Sequence, residues 1–265
     1  MKRRDFLQKS ALTSAGLLAT GSLFSQPFFE GKIKDFGFQV YTVRDVIKKD
    51  MAGTLKTLKK AGYDYAEFFD FADGKLLGMP VKEAKALIDA SKIKLKSIHV
   101  PTGIQAHTVS GTMVNNWQKA VDDAAELGAE YLVCAYLDSA ERQTIDQYKK
   151  VSELFNRSAE ICKKSGIKFA YHNHAFEFKE IDGQIPYDVL LKDADLVKME
   201  LDMYWVRYAD QNPLKIIQRD MGRFPLWHVK DMSMDEDRAM KEVGAGRIDW
   251  KQLFAYDKDA GLEYF

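Results

Sequence analysis

The sequence predicts a (β/α)8 barrel over residues 33–265, and its pattern of segments carries the prediction. Seven short β-rich runs alternate with seven segments of helical length, and an eighth β-rich run starts at the end of the sequence. Parallel strands need long crossovers, which helices of this length supply. No Gly-x-Gly-x-x-Gly follows the first β-rich run. That absence argues against the competing architecture, an open dinucleotide-binding sheet.

A second regularity is a glycine at the point where a helix ends and a strand begins. It occurs at Gly62, Gly128, Gly166, Gly222 and Gly261. A glycine after the last helical turn adopts the left-handed conformation that closes the helix. Five junctions of one kind predict repeated βα units.

The predicted elements follow one another without a linker, so we predict one domain. The strands are predicted at residues 36–41, 64–69, 94–100, 130–136, 167–174, 196–204, 224–231 and 262–265. The helices are predicted at 50–61, 80–90, 113–127, 143–165, 185–193, 212–220 and 249–260. The eighth strand is only starting at the last residue, so we expect strand eight and the last helix of the barrel to be truncated here.

Composition and charge describe a folded domain that is poorly suited to nucleic acid. Hydrophobic residues make up 46% of the chain and charged residues 29%, close to globular averages. The 39 basic and 39 acidic residues cancel, and no basic stripe with interleaved aromatics is present. Phosphate recognition needs such a stripe, so we expect no nucleic-acid partner. Cys134 and Cys162 lie in a predicted strand and a predicted helix, which favours buried thiols over a disulfide.

The first 26 residues have the pattern of an export signal. Lys2, Arg3 and Arg4 precede the uncharged residues 11–24. A basic segment followed by a short apolar run is typical of a secretory signal and is too short for a permanent membrane span. The paired arginines resemble the twin-arginine export signal. We therefore expect a periplasmic or otherwise exported protein without a stable membrane anchor.

Histidines gather at the predicted carboxyl ends of the strands, where barrels of this class place their active sites. His99, His172, His174 and His228 lie there, whereas His107 lies in a loop. Imidazole and carboxylate groups bind Mn²⁺, Mg²⁺, Co²⁺ and Zn²⁺. The sequence therefore predicts a divalent-metal site at the mouth of the barrel.

Residues two apart on a strand face the same side, which groups the polar residues further. The pairs that share a face are His172 with His174, Glu200 with Asp202, and His228 with Lys230. Asp202 and His228, on neighbouring strands, are the strongest metal candidates. For Lys230 two interpretations stay open: it assists a metal histidine or a substrate hydroxyl, or it forms a structural ion pair with Asp231.

Four stretches of sequence resemble the xylose-isomerase-like family of barrel enzymes, which includes sugar isomerases and epimerases. They are Gln-x-Tyr-Thr-Val-Arg-Asp from residue 39, Tyr-His-Asn-His-x-Phe-Glu-Phe at 171–178, Glu-Leu-Asp-x-Tyr-Trp at 200–205 and His-Val-Lys-Asp at 228–231. The resemblance implies one divalent metal held by carboxylates of strands five, six and eight and a histidine of strand seven. It assigns Asp202 and His228 as ligands.

Two ligands of the family do not transfer directly. Where the family has a strand-five glutamate this chain has His172, so Glu177 is expected to supply the carboxylate. The strand-eight glutamate is expected just beyond Phe265. With a metal, the implied chemistry is proton abstraction from a carbon next to a carbonyl.

Roles for the remaining polar residues at the mouth follow from this chemistry. We expect His172, His174, Glu67 and Lys230 to be catalytic, and Gln39, Tyr41, His99 and Trp205 to bind substrate. Three functions stay open: a sugar isomerase or epimerase, a lyase or hydratase that acts on 3-keto-glycosides by β-elimination, and a non-catalytic sugar-binding barrel. Each takes a small-molecule sugar or keto-glycoside, and each is compatible with a homo-oligomer.

Overall fold

Seven parallel strands form the central sheet of the computed structural model, which describes residues 35–265. They are β1 (Gly37–Gln39), β2 (Tyr65–Phe68), β3 (Lys94–Val100), β4 (Tyr131–Cys134), β5 (Lys168–His172), β6 (Lys198–Asp202) and β7 (Leu226–His228). Each strand pairs with the next one along the chain, as repeated βα units require. All seven lie within their predicted ranges. The expected export signal at residues 1–26 lies outside the described part of the chain.

The last residues of the sequence lie where an eighth strand is expected. Tyr264 forms a parallel bridge with Leu226, and the Trp227 N–H donates to the Tyr264 carbonyl at 3.0 Å. On the other side, the Gly37 N–H donates to the Phe265 carbonyl at 3.2 Å. Residues 264–265 thus span the gap between β7 and β1, and the barrel is incomplete at this position, consistent with the expected truncation. The eighth position holds a single bridge rather than a full strand.

Helices connect the strands at the predicted positions. Within residues 35–265 the α-helices are α1 (Arg44–Ile47), α2 (Met51–Lys60), α3 (Val81–Ser91), α4 (Trp117–Leu127), α5 (Ile145–Lys164), α6 (Pro186–Asp193), α7 (Met203–Tyr208), α8 (Pro213–Arg219), α9 (Trp250–Phe254) and α10 (Asp257–Ala260). The predicted helix 249–260 is two short helices, and the hydrophobic periodicity misses α1 and α7. No helix among these residues is long and apolar enough to cross a membrane.

The glycine junctions are confirmed. The five glycines named above have φ between 74° and 102°, a region in which a β-carbon is strained. At the end of α4, the Gly128 N–H donates to the carbonyls of Ala124 and Ala125 and so completes the last helical turn. The sequence signal therefore marked real helix ends.

The predicted seventh strand is too long at its carboxyl end. β7 stops at His228, and Asp231–Met232 pairs instead with Met240–Lys241 in a separate two-stranded sheet. The buried Asp231 carboxylate holds this hairpin because it accepts hydrogen bonds from several N–H groups of the returning chain, including Ile248 N and Trp250 Nε1. Asp231 is therefore a structural residue of the hairpin, not a partner of Lys230.

Alternation along the strands separates an inner barrel core from an outer layer. Tyr131, Val133, Ala170 and Leu226 face inward and pack together near the amino ends of the strands. Tyr171, between two inward residues of β5, faces the helices and packs on Phe155 of α5 with ring centroids 5.3 Å apart. The inward positions beyond the apolar core carry polar side chains. The fold therefore brings the polar residues of several strands to one mouth.

Candidate metal centre at the barrel mouth

Three imidazoles and one carboxylate converge at the carboxyl ends of four strands. They belong to His99 of β3, His172 of β5, Glu200 of β6 and His228 of β7, and one ligand atom from each lies within 4.8 Å of the others. We call this group the histidine–glutamate cluster. Glu200 Oε2 lies 2.8 Å from His172 Nδ1, 3.0 Å from His99 Nε2 and 3.3 Å from His228 Nε2. One carboxylate oxygen thus contacts all three imidazoles.

The donor set of the cluster fits a divalent ion. Imidazole nitrogens and a carboxylate oxygen suit Zn²⁺, Co²⁺ or Mn²⁺. Among the described residues, the buried His228 Nδ1 has no hydrogen-bond partner, and its 3.6 Å separation from Asp202 Oδ2 is too long for a hydrogen bond. A buried polar atom without a partner is costly, and only a cation bound at Nδ1 itself would relieve that cost, whereas His228 meets the cluster through Nε2.

A second carboxylate, that of Glu67 on β2, borders the cluster. Its Oε1 lies 2.7 Å from His228 Nε2 and 2.8 Å from His99 Nε2. β2 and β6 are four positions apart in a ring of eight, so Glu67 and Glu200 approach these two histidines from opposite walls. The side chains of Gln39 and Ser97 donate to Glu67 at 2.7 and 2.6 Å. These bonds fix the orientation of the carboxylate.

Opposing effects set the protonation of the cluster. Burial alone would raise the pKa of Glu67, but the charges of His99 and His228 hold it well below its usual value. Burial would lower the pKa of His99, yet Glu67 and Glu200 raise it to about 10. The same carboxylates raise the pKa of His228 to about 9 against burial. Burial and positive neighbours hold the pKa of His172 well below its usual value. The two carboxylates therefore favour the charged form of His99 and His228.

Glu200 differs electrostatically from Glu67. Burial and the negative charge of Glu67 raise the pKa of Glu200 to about 7. Two carboxylates that share one set of histidines therefore favour different protonation states. Such a division is typical of sites that handle protons.

Asp202, an expected ligand, lies beside the cluster rather than in it. Its Oδ2 accepts from Lys230 Nζ at 2.6 Å, and its Oδ1 caps α7 by accepting from the Trp205 N–H at 3.1 Å. Oδ2 is 3.6 Å from both His172 Nε2 and His228 Nδ1. Burial would raise its pKa, but Lys230 holds the pKa at about 2. Asp202 thus anchors Lys230, and the Lys230–Asp231 ion pair left open by the sequence does not form.

Glu177, the other expected carboxylate ligand, faces away from the cluster. It accepts from the Tyr171 hydroxyl at 2.6 Å and from the His174 N–H at 2.9 Å. Tyr171 belongs to the layer between barrel and helices, so the carboxylate lies outside the barrel wall. The 3₁₀ turn Phe176–Phe178 turns the chain back and brings Glu177 there. The structure therefore replaces Glu177 with Glu200 as the carboxylate that meets the histidines.

The other expected site residues lie around the cluster in several roles. Gln39, which was expected to bind substrate, uses its side-chain amide to hold Glu67 and does not point into open space. Tyr41 is 52% exposed on the rim and packs edge-on against Phe69 with centroids 5.1 Å apart. His174 and Trp205 lie on the opposite rim, with ring centroids 5.4 Å apart. Burial lowers the pKa of His174 to about 4.

A family comparison agrees with this architecture. The model of the xylose isomerase-like TIM barrel family matches residues 55–263. The chain belongs to this family. A solved structure of a sugar phosphate isomerase/epimerase from Parabacteroides distasonis is 28% identical with a TM-score of 0.74, and the alignment covers 89% of this chain and 86% of that one.

Other relatives are more distant or match over shorter segments. A solved structure of IolI protein with a bound zinc atom shares the fold at 17% identity and a TM-score of 0.66, over 86% of both chains. The inosose dehydratase of Geobacillus kaustophilus is 28% identical over 95 residues, which is 36% of this chain and 31% of that protein. The matches to curated relatives span less than half of each relative's length.

Residues that sequence reasoning did not assign complete the site of this xylose isomerase-like barrel. Glu200 is central to the cluster, and its signal was present, because alternation places it on the same face as Asp202. Ser97 supports Glu67, and it lies two residues before His99 on β3. Asn173 lies between the two histidines of Tyr-His-Asn-His, and the spacing of residues in the sequence does not predict its role.

Asn173 clamps the ends of β5 and β6 together. Its side-chain Oδ1 accepts from the Asp202 N–H at 2.9 Å, and its Nδ2 donates to the Asp202 carbonyl at 3.3 Å. The last backbone pair of these strands is His172 with Glu200, so the amide extends the ladder beyond it. The clamp therefore fixes the strand ends that carry two members of the cluster.

Replacing Asn173 by alanine is expected to weaken both stability and metal binding. The buried polar groups of Asp202 lose their partners, which costs about 1–3 kcal/mol of unfolding free energy. Loss of positioning should lower affinity for Zn²⁺ by about 10-fold or more. Urea denaturation and titration calorimetry measure the two effects. Asn156→Ala is the matched control, because Asn156 also bridges backbone groups, those of Asp193 and Leu196, away from the mouth. Equal metal affinity in both variants would reduce Asn173 to a structural residue.

The buried Glu177 is expected to make stability depend on pH. Burial raises its pKa from 4.5 to about 7, so the folded protein holds this proton more tightly than the unfolded chain. The resulting stabilisation is complete below pH 4.5 and is lost as the pH rises through about 7. Relative to Glu177→Gln, the wild type should lose about 3 kcal/mol of unfolding free energy across that window. Urea denaturation from pH 4.5 to 8 tests this. The exposed Glu180→Gln control should follow the wild type, and a parallel curve for Glu177→Gln would contradict the expectation.

Proposed function

We propose that the chain is a divalent-metal-dependent enzyme that abstracts a proton next to the carbonyl of a sugar, as a sugar isomerase or epimerase. One observation carries the proposal: three imidazoles and Glu200 converge at the mouth with a second, oriented carboxylate, that of Glu67, against them. A cation site beside a carboxylate base is the arrangement that enolisation of a carbonyl compound requires.

The ion would be held by His99, His172, Glu200 and His228. When bound, a divalent ion polarises a carbonyl oxygen and stabilises the negative charge that develops on it. Glu67 takes the proton from the neighbouring carbon, because Gln39 and Ser97 orient its carboxylate.

The product depends on where the proton returns. Delivery by Glu67 to the former carbonyl carbon, with transfer of the neighbouring hydroxyl proton to the former carbonyl oxygen, gives isomerisation. Delivery to the original carbon from its other side gives epimerisation, which needs a second donor. Lys230 is our candidate for that donor. It follows the carboxyl end of β7 at the mouth, its side chain is partly exposed, and its Nζ lies 2.6 Å from Asp202 Oδ2. The relatives named sugar phosphate isomerase/epimerase and inosose dehydratase support the same class of substrate.

Elimination is the second candidate, and the relatives named inosose dehydratase favour it. A dehydratase begins with the same proton abstraction and then expels a hydroxyl group in place of returning the proton. In this chain the expelled group is either a hydroxyl group or the aglycone of a 3-keto-glycoside.

The twin-arginine export signal remains a prediction. On the basis of that predicted signal, we propose that the enzyme acts outside the cytoplasm.

Proton exchange in D₂O tests the proposal. The metal-loaded protein is incubated with free ketoses and with 3-keto-glucosides, and products are followed by NMR. Deuterium at the carbon next to the carbonyl, without release of the aglycone, supports isomerase or epimerase activity. Aglycone release supports elimination. Absence of both, together with absence of bound metal by elemental analysis, would overturn the proposal and leave a sugar-binding barrel.

A further inference from the structure

Arg142 is a half-buried cation on the rim of the mouth, and it forms no ion pair with a carboxylate among the described residues. It lies in the connection between β4 and α5. Its Nε donates to the Leu137 carbonyl at 2.9 Å, and its Nη2 donates to the Tyr136 hydroxyl at 3.1 Å. Neither acceptor carries a negative charge. Lys230 at the same mouth differs, because its ammonium group lies 2.6 Å from Asp202 Oδ2. An unpaired charge that is partly withdrawn from water is costly, so the position of Arg142 favours an anionic ligand.

Two acidic residues close to Arg142 in the sequence are engaged by other groups. Glu141 is buried, and its Oε1 accepts from the Thr102 hydroxyl at 2.8 Å. Asp146, in the first turn of α5, is exposed and lies 3.6 Å from the ammonium group of Lys149. The neighbouring segments therefore supply no carboxylate for the guanidinium.

The guanidinium of Arg142 is fixed in orientation but keeps a free donor. Its central carbon lies 3.6 Å from the centroid of the Phe176 ring and 5.5 Å from that of the Tyr136 ring. Nη1 donates to no group within residues 35–265, and it is not among the buried polar atoms that lack a partner, so its N–H groups reach solvent. A guanidinium that is held in place in advance loses little conformational entropy when it binds an oxyanion, which favours affinity.

Arg142 lies on the same wall of the mouth as the histidine–glutamate cluster. The Tyr136 ring, to which it bonds, contacts the His174 ring with centroids 5.3 Å apart, and His174 lies 5.0 Å from the ring of His172, a cluster member. Two aromatic rings therefore separate the guanidinium from the cluster. The amino end of α5, at Ile145, lies at the same end of the barrel, and its positive end also favours an anion. A ligand with a carbonyl group at one end and an anionic group at the other can contact both sites.

A carboxylate matches these donors better than a phosphate does. One guanidinium balances the single charge of a carboxylate, and both groups are planar. A phosphate is usually held by several backbone N–H groups at the start of a helix. At the start of α5, Thr144 and Gln147 form a capping box that already occupies donors of this kind. The donors at this site therefore favour a carboxylate.

We propose that Arg142 binds a carboxylate of the substrate, and that the substrate is therefore a sugar acid. This proposal rests on the proposed function, because the carbonyl group of that acid must lie over the cluster. In an open-chain hexuronic acid the aldehyde and the carboxylate are at opposite ends of the carbon chain, as the two sites require. Arg142 is then a substrate-binding residue that selects acidic sugars, and it takes no part in proton transfer.

Binding selectivity tests this proposal independently of catalysis. The metal-loaded protein is titrated with glucuronate, glucose and glucose 6-phosphate by calorimetry. We expect glucuronate to bind at least about tenfold more tightly than glucose, because its carboxylate forms a charge-assisted hydrogen bond. Arg142→Gln should abolish this preference and change the affinity for glucose little, and Arg142→Lys should retain part of the preference. Arg157→Gln is the control, because it removes an exposed guanidinium from α5, and it should keep the full preference.

Three outcomes would overturn the carboxylate subsite. The first is equal affinity of the wild type for glucuronate and glucose. The second is a glucuronate preference that survives in Arg142→Gln, or an equal loss for both sugars in Arg142→Gln and Arg142→Lys. The third is tighter binding of glucose 6-phosphate than of glucuronate, which would make Arg142 part of a phosphate site. Exchange of the proton next to the carbonyl in D₂O is measured on the same samples. Glucuronate preference without exchange would contradict the proposed function alone, and exchange without the preference would contradict the subsite alone.

Discussion

Replacing His228 by alanine is expected to remove the divalent ion from the protein. His228, like His99, contacts both carboxylates, Glu67 and Glu200, so its loss removes a ligand atom from the centre of the cluster. Loss of one of four ligands should lower the affinity for Zn²⁺ or Mn²⁺ by more than about 100-fold, because loss of an outer-shell partner alone costs 10- to 100-fold. Elemental analysis after dialysis and titration calorimetry measure the loss.

A matched control exists, because the chain has one histidine away from the mouth. His107 is exposed in the loop after β3, and His107→Ala should bind metal as the wild type does. Stoichiometric metal in His228→Ala would refute the cluster as the metal site. The same experiment compares two carboxylates. Glu200→Gln should lose more affinity than Asp202→Asn, because Glu200 contacts all three imidazoles whereas Asp202 is bonded to Lys230. The reverse order would restore Asp202 as the ligand that the family resemblance implies.

The barrel was predictable because its signals are local. A glycine after a helix and an alternation of β-rich and helical segments depend on neighbouring residues, and both are found in the structure. The gathering of histidines was predictable for the same reason, since strand ends in a parallel barrel share one mouth. The limits of the strands were less certain. The predicted strand seven extends through Asp231, because nothing in the local sequence indicates that the Asp231 carboxylate accepts a hydrogen bond from the distant Ile248 N–H.

The ligand set depends on distances that sequence spacing does not carry. Glu200 and Asp202 share a face of β6, and their register places them opposite His172 and His228 respectively. Either carboxylate therefore satisfies the pattern. Lys230 decides between them, because its ammonium group binds Asp202 and leaves Glu200 to meet the imidazoles. Glu177 failed as a candidate because a single 3₁₀ turn moves it to the other side of the barrel wall.

Roles that join several loops were the least predictable. Gln39 was expected to bind substrate, but its side-chain amide donates a hydrogen bond to Glu67 at 2.7 Å. Tyr136, His174 and Trp205 meet on the rim although they follow three different strands, β4, β5 and β6. Arg142, which bonds to the Tyr136 hydroxyl, lies in the same β4–α5 connection and has no recognisable motif. Such groupings arise only when the barrel forms and brings the loops together. The sequence therefore predicts which residues lie at the mouth but not how the residues of different loops pack around it.

Replacing Glu67 by glutamine is expected to abolish proton exchange while the metal stays bound. Glutamine keeps the size of the side chain, so contacts with Gln39 and Ser97 change little in position. It cannot take a proton from carbon, and it carries no charge between His99 and His228. A general base contributes about 10²- to 10⁴-fold to a rate, so exchange of the substrate proton in D₂O should fall by about that factor.

The metal content of Glu67→Gln separates a base from a ligand. If Glu67 acts as the base, the variant binds Zn²⁺ or Mn²⁺ stoichiometrically and loses exchange. Loss of both would instead make Glu67 a fifth metal ligand, since its Oε1 lies within 2.8 Å of two cluster imidazoles. Glu153→Gln, on the exposed face of α5, is the control for a lost carboxylate and should keep both metal and exchange. Exchange at the wild-type rate in Glu67→Gln would exclude Glu67 as the base and leave Lys230 and His174 on the rim as candidates.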